Sequence, residues 1–160
     1  MNREFLKELL NTPSVSGHEE YIQKKALDFG RGFAHAQLTD PSGNAVSVVN
    51  PEAKNRILLC GHIDEIGFQV TYIDESGRLR LMKDGGVAPK LYIGSPVQVC
   101  HRGERVPGVI ATSSELLEKD KVKDTDLIVD IGANTREEAE KLVSVGDPVC
   151  ADTEVRELMN

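Results

Sequence analysis

The sequence has little cysteine and no tryptophan: three cysteines occur among 160 residues. Cys60, Cys100 and Cys150 are too few and too widely spaced for a disulfide framework or a four-thiolate zinc site. Apolar residues flank each of them, so we expect three buried free thiols. Free thiols are typical of a reducing compartment, and we therefore expect a cytoplasmic protein.

Long apolar runs and basic clusters are also absent. The longest apolar run, Ile57 to Cys60, is far short of the roughly 20 residues of a membrane-spanning helix. Residues 1–6 lack the apolar core of a signal peptide. Asp and Glu number 26 against 19 Lys and Arg, which leaves a net charge of -7. Such a chain repels phosphate groups, so we expect neither nucleic acid nor a membrane surface as a partner.

The first third of the chain combines helical and strand patterns. Apolar spacing predicts a short amphipathic helix at the start of the chain. Ser16 and Glu19 have the spacing of a capping box, which predicts that Ser16 begins a second helix ending at Gly30. Residues 35–39 and 45–49 flank a turn-rich segment and predict a β-hairpin.

The remainder is rich in short strands. Ile57–Cys60 is typical of a strand buried on both faces, and alternating strands with tight turns follow from residue 68 onwards. Thr135 caps a predicted helix whose residues Ala139, Leu142 and Val143 would face the sheet. The domain organisation that we expect comprises three parts: residues 1–66 in an α/β layer, residues 67–149 in a small closed or nearly closed barrel, and residues 150–160 returning to the first layer as a short helix.

The strongest candidate for chemistry is His62-Ile63-Asp64, directly after the predicted buried strand. Ligand sites of open α/β sheets lie at the carboxyl ends of strands. His62 could offer a ring nitrogen to a metal while Asp64 holds the other nitrogen, and Glu65 adds a third polar group. The alternative is that His62 and Asp64 only form hydrogen bonds at a strand end. The spacing of these residues in the sequence does not distinguish the metal-ligand role from the hydrogen-bonding role.

Of the other histidines, His18 falls in the first turn of the predicted second helix, where exposure to solvent is usual. His35 and His101 have no acidic neighbour at ligand spacing. The serines lack the Gly-x-Ser-x-Gly context of an activated nucleophile, and no glycine-rich phosphate loop is present. The β-rich segment, residues 67–149, therefore contains no recognisable set of catalytic residues. A small barrel with exposed strand edges is more typical of contact with another chain.

Several segments together resemble one family, the dinuclear-metal aminopeptidases that include the glutamyl, deblocking and tetrahedral (TET) aminopeptidases, some labelled cellulase-M-like. The matching segments run in family order along nearly the whole chain. They are residues 6–20 (LKELLNTPSVSGHEE), 40–48 (DPSGNAVSV), 57–68 (ILLCGHIDEIGF), 85–87, 93–97 (IGSPV), 106–110 (VPGVI) and 126–148 around DLIVDIGA, REEAEKL and VGDP.

The resemblance implies an α/β fold: part of a phosphorylase-like catalytic layer with an inserted PDZ-like β-barrel dimerisation domain. It implies that His62 is a ligand of one of two divalent ions, zinc or cobalt, and that Asp64 orients it. It also implies peptide substrates and a homo-oligomer formed through residues 67–149. One departure is Ser113–Leu117, where the family often has a histidine before the Leu-Leu pair.

Family members are roughly twice as long, and their other metal ligands and general base lie beyond the dimerisation domain. We therefore expect the N-terminal portion of a metal-dependent aminopeptidase, with weak or no metal binding and no activity on its own. The alternative is a non-catalytic oligomerisation module derived from that family. A glycosidase, which the cellulase-like label suggests, would need a carboxylate pair that the sequence does not support.

Overall fold

A computed structural model describes residues 2–159 and divides the chain into two compact units, the first ending at Asp64 and the second beginning at Glu65. The first unit contains two helices and one hairpin. Its elements are α1 (Arg3–Leu10), α2 (Glu20–Gly30), β1 (Ala36–Thr39) and β2 (Ala45–Val48).

The two predicted helices are present, but the second begins later than predicted. The side chain of Asn2 accepts a hydrogen bond from the amide of Phe5 and caps α1. Phe5 stacks on Phe29 of α2 with ring centroids 3.8 Å apart, so the apolar faces of the two helices meet. The expected capping box is wrong: α2 begins at Glu20, and the hydroxyl of Ser16 binds elsewhere.

The predicted hairpin is confirmed. β1 and β2 pair antiparallel, from Ala36 opposite Val48 to Thr39 opposite Ala45. One carboxylate oxygen of Asp40 accepts hydrogen bonds from the amides of Ser42 and Asn44, each at 2.9 Å. The turn is therefore fixed by a local side-chain contact, which is why the sequence predicts it well.

The predicted buried strand at residues 57–60 is wrong. These residues belong to no strand, and Ile57, Leu58 and Leu59 are 87%, 79% and 90% exposed. A strand forms only beside a partner, and among residues 2–159 the sheet of the first unit contains β1 and β2 alone. Cys60 is exposed for the same reason, so the prediction of three buried thiols is correct only for Cys150, with Cys100 half-buried.

The second unit is a closed six-stranded barrel, and this confirms the prediction of a small closed barrel. The strands are joined in the order β3-β4-β7-β6-β5-β8, and every neighbouring pair for which a register is defined is antiparallel. They are β3 (Gly67–Ile73), β4 (Leu79–Asp84), β5 (Pro96–His101), β6 (Glu104–Ile110), β7 (Ile128–Asp130) and β8 (Pro148–Ala151).

Alternation along the strands fills the barrel with apolar side chains. On β5, Val97 and Val99 point into the core and are fully buried. Phe68 on β3 is also fully buried and meets Tyr92 edge-to-face at 5.0 Å. Closure leaves no free strand edge at the β3–β8 seam, where Phe68 lies opposite Val149.

Two short helices lie between the strands of the barrel, α3 (Ser114–Glu118) and α4 (Arg136–Glu140). Thr135 caps α4 as predicted, because its hydroxyl accepts a hydrogen bond from the amide of Glu138 at 3.2 Å. Ala139 and Val143 are fully buried, whereas Leu142 is 45% exposed. The sequence predicts that this helix continues to Val143, but it ends at Glu140. Ala139 is therefore the one predicted apolar position within the helix, Val143 is buried just beyond it, and Leu142 lies outside the core.

Residues 152–159 contain neither helix nor strand, so the predicted C-terminal helix is wrong. A segment of this length needs a packing surface to be helical in water. Leu158 is 85% exposed and has no such surface. In residues 2–159, no helix combines the length and apolar character needed to cross a membrane.

Candidate functional site

The structure brings His62 and Asp64 together, as the sequence predicts. Nδ1 of His62 lies 2.9 Å from Oδ1 of Asp64 and 3.1 Å from the backbone oxygen of the same residue. The two acceptors hold the ring in one orientation. His62 is 86% exposed at its side chain, and Asp64 is 36% exposed.

Sequence reasoning missed a third member of this site. The hydroxyl of Ser16 donates a hydrogen bond to Oδ2 of Asp64, with a distance of 2.7 Å between the oxygens. The carboxylate is therefore held through both of its oxygens, by Ser16 on one side and His62 on the other. We call these three residues the Ser16–Asp64–His62 chain.

The loop before α2 positions Ser16. Ser14 and Val15 are buried, at 3% and 1% exposure, and anchor the loop in the first unit. Gly17 has a φ of 84°, a conformation that favours glycine, and its amide donates to Oε1 of Glu19 at 2.7 Å. The signal in the sequence is the Ser16–Glu19 pattern itself, which predicts a helix start but forms a turn in the structure.

The hydrogen bonds determine the charge of the site. The hydrogen bond from Ser16, followed by that from His62, holds the pKa of the Asp64 carboxyl below its usual range despite partial desolvation. An ionised Asp64 can only accept a hydrogen bond from Nδ1 of His62, so the neutral imidazole carries its hydrogen on that nitrogen. Nε2 is left with a free lone pair, which is the form that binds a metal ion or accepts a proton.

The residues around this site offer a metal ion one ligand atom. His62 offers Nε2, while both oxygens of Asp64 already have partners. Among residues 2–159, no three His, Cys, Asp or Glu side chains lie close enough together to hold a metal ion. Zinc sites need three or four protein ligands, so these residues do not form a complete metal site by themselves.

The remaining candidates have structural partners. Nδ1 of His35 accepts a hydrogen bond from the amide of Asn50. His101 has an acidic partner after all: its Nδ1 lies 2.8 Å from Oδ2 of Asp147, and the two side chains are 18% and 15% exposed. Barrel closure brings together residues 46 positions apart. Glu65 lies in the second unit, where its charge adds to burial in raising the pKa of Tyr92.

The barrel unit also has a cleft of about 420 Å³ beside α3. Ser113 caps this helix by accepting a hydrogen bond from the amide of Leu116. Lys119 and Asp126 both line the cleft and pair at 2.8 Å. This ion pair joins two of the four charged residues that line the cleft, and the other two are Arg80 and Glu115.

Comparison with known proteins identifies the family. The model of the M42 glutamyl aminopeptidase family matches residues 43–160, which is more than half of the chain. The chain is 33% identical to the lysyl aminopeptidase of Pyrococcus furiosus over 146 residues, which are 87% of this chain and 42% of that enzyme.

Solved structures of aminopeptidases are also similar to the structure of this chain. An aminopeptidase from the archaeon Desulfurococcus kamchatkensis superposes with a TM-score of 0.89 at 29% identity, over 98% of this chain and 44% of the other. The TET1 peptidase of Pyrococcus horikoshii gives a TM-score of 0.83 at 34% identity, over 94% and 46%. The chain thus spans less than half the length of each relative, and it belongs to the M42 glutamyl aminopeptidase family.

Proposed function

We propose that this chain is part of a metal-dependent aminopeptidase that removes N-terminal residues from peptides. The observation that carries the proposal is the Ser16–Asp64–His62 chain, which fixes the ring and exposes Nε2 of His62. Membership of the M42 family and likeness to enzymes named lysyl aminopeptidase and TET1 peptidase support the reaction class.

In this proposal His62 is a metal ligand and Asp64 is a positioning residue. Asp64 holds the hydrogen on Nδ1 and restricts rotation of the ring. Ser16 in turn fixes the carboxylate of Asp64. A divalent ion, zinc or cobalt, would supply polarisation of the scissile carbonyl and activation of water when bound.

We further propose that residues 1–160 alone bind metal weakly and do not hydrolyse peptides at a significant rate. A single imidazole ligand gives little affinity for zinc, because strong sites use three or four ligands. Hydrolysis also requires a base within hydrogen-bond distance of the attacking water. Glu65 is the nearest candidate in sequence, and the family resemblance does not give that position this role.

The barrel is proposed to serve self-association. We assign residues 67–149 to a PDZ-like dimerisation domain, residues 1–66 to part of a phosphorylase-like catalytic layer and residues 150–160 to its return. The related TET1 peptidase of Pyrococcus horikoshii assembles into a tetrahedron or an octahedral shell, which supports an oligomer. A cytoplasmic location agrees with the three free thiols.

The test of the metal role is calorimetric titration of the 160-residue protein with zinc. We expect weak binding that His62→Ala abolishes, while the control His35→Ala, another exposed histidine of the first unit, leaves it unchanged. Binding that is equal in the wild type and His62→Ala would exclude His62 as a ligand.

Activity is tested separately with aminoacyl chromogenic substrates and added cobalt or zinc. We expect no metal-dependent turnover by this chain. Turnover that disappears in His62→Ala would contradict the proposed inactivity and support the metal role. Sedimentation velocity at increasing concentration tests the barrel, and a strict monomer at high concentration would exclude self-association of these 160 residues.

A further inference from the structure

Two of the three cysteines meet on adjacent strands of the barrel. In the β5–β8 ladder Gln98 lies opposite Cys150, and Cys100 follows Gln98 by two residues on the same face of β5. Cys100 and Cys150 are therefore diagonal neighbours.

The two thiols differ in exposure. Cys150 is 1% exposed, whereas Cys100 is half-buried and reaches solvent. The third cysteine, Cys60, is exposed and lies in the first unit. A small oxidant can therefore reach Cys100 before Cys150.

The surroundings favour a thiolate on Cys100. Arg105 lies directly opposite Cys100 in the β5–β6 ladder. The hydrogen bond from Cys150, and after it the charge of Arg105, lower the pKa of the Cys100 thiol against the effects of burial, Glu65 and Asp147. The same hydrogen bond, followed by burial, raises the pKa of Cys150. A half-exposed thiol of lowered pKa beside a buried one is the arrangement of a reactive and a resolving cysteine.

We propose that Cys100 and Cys150 form an oxidation site, in which Cys100 reacts with a hydroperoxide and Cys150 then closes a cross-strand disulfide. This proposal concerns the barrel and does not depend on the aminopeptidase function.

The reaction proceeds in two balanced steps. The Cys100 thiolate attacks the terminal oxygen of the hydroperoxide, the O–O bond breaks, and a sulfenic acid forms. The hydroxide or alkoxide that leaves takes a proton from solvent and becomes water or an alcohol. The sulfur of Cys150 then attacks the sulfenic sulfur, the S–O bond breaks, and hydroxide leaves with the Cys150 proton as water. Two electrons pass from the two thiols to the hydroperoxide.

The disulfide would tie the last strand of the barrel to β5. β8 is held on its other side by two residue pairs with β3, at Phe68 and Gln69. Diagonal neighbours in an antiparallel sheet have Cα atoms roughly 7–8 Å apart. A disulfide tolerates Cα separations up to about 6.8 Å, so β8 must shift slightly towards β5 and the bond should be easily reduced.

The experiment uses the full 160-residue chain carrying Cys60→Ser, so that only the pair remains. The protein is treated with hydrogen peroxide, its free thiols are alkylated, and it is digested with trypsin. Cys100 falls in peptide 91–102 and Cys150 in peptide 142–156. We expect a linked 91–102/142–156 peptide in the monomeric fraction, which dithiothreitol separates.

Two further measurements assign the roles. In the reduced folded protein, alkylation of Cys100 should be more than about tenfold faster than that of Cys150. With Cys60→Ser/Cys150→Ser, peroxide should drive Cys100 to sulfinic acid with no linked peptide. The converse variant, Cys60→Ser/Cys100→Ser, should leave Cys150 unmodified under the same conditions.

Two results would overturn the proposal. One is sulfinic acid on Cys100 with a free Cys150 thiol in the Cys60→Ser protein, since Cys150 would then fail to resolve. The other is a linked peptide found only in a covalent dimer, which would place the bond between chains. Both readouts come from the Cys60→Ser protein itself and so do not depend on the folding of the double variants.

Discussion

Ser16 and Asp64 are 48 residues apart in sequence, and the hydroxyl of Ser16 donates to the Asp64 carboxylate across 2.7 Å. The bond joins the loop before α2 to the segment that carries His62. Because this segment contains no helix or strand, side-chain contacts rather than a sheet hold the candidate site in the first unit.

Ser16→Ala should raise the pKa of Asp64 towards its ordinary value. The hydrogen bond from Ser16 is the largest cause of the lowered pKa, and the alanine removes it. Titration of the Asp64 carboxyl carbon by NMR measures the change, and Ser16→Thr, which keeps the hydroxyl, is the control. An unchanged pKa in Ser16→Ala would show that this hydrogen bond does not form in solution.

The same hydrogen bond predicts a pH dependence of stability. The pKa of Asp64 is lower in the folded chain than in the unfolded one, so its ionised form stabilises the fold above the unfolded pKa. That contribution is lost as the pH falls through the folded pKa. We expect urea unfolding of wild type and Ser16→Ala to differ near neutral pH and to converge in acid. A constant difference at all pH values would assign the effect of the substitution to packing.

His62→Ala should leave the stability of the fold within about 0.5 kcal/mol of the wild type, because the ring is 86% exposed. Urea unfolding followed by circular dichroism measures this. Asp64→Ala is expected to cost more, about 1 kcal/mol, since it removes the acceptor for both neighbours. A larger loss for His62→Ala than for Asp64→Ala would show that the ring packs against the protein.

Two glycines with similar backbones test the packing of the barrel. Gly77 and Gly94 have φ values of 77° and 74°, but a Cβ on Gly77 would lie 2.8 Å from the oxygen of Thr135, whereas Gly94 has nothing within 4 Å. Gly94→Ala should cost about 1–2 kcal/mol for the left-handed backbone. Gly77→Ala should cost about 2–5 kcal/mol, because the overlap adds to that strain.

The comparison uses the free energies of unfolding of the two variants in urea. Equal losses would mean that the turn after β3 moves away from Thr135 without cost.

Leu79→Ala should destabilise the barrel by about 2–5 kcal/mol, because Leu79 is fully buried and the substitution leaves a cavity. Leu142→Ala is the matched control: Leu142 is 45% exposed, and its loss should cost about 1 kcal/mol or less. Thermal unfolding of both variants checks the contrast. Similar losses would show that the Leu142 side chain is buried in solution.

Local patterns predicted the elements whose contacts are themselves local. The hairpin depends on Asp40 and the two amides just beyond it, and α4 depends on the capping contact between Thr135 and Glu138. Alternation of apolar residues along short strands predicted the barrel, because each strand needs its apolar face covered. His62 and Asp64 were found for the same reason, since they are two residues apart.

Tertiary structure decided the rest. Ser16–Glu19 has the same spacing as Thr135–Glu138, but Ser16 binds Asp64 and the helix begins four residues later. Ile57–Cys60 has the composition of a buried strand, and without a neighbouring strand among the described residues it is exposed.

The closing of the barrel also brings together pairs that no local pattern contains. His101 meets Asp147, and Cys100 meets Cys150, because β5 and β8 become neighbours only when the last strand completes the ring. A sequence determines which faces of its strands are apolar. Which strands become neighbours depends on the burial of all those faces at once, and this places together side chains that are distant along the chain.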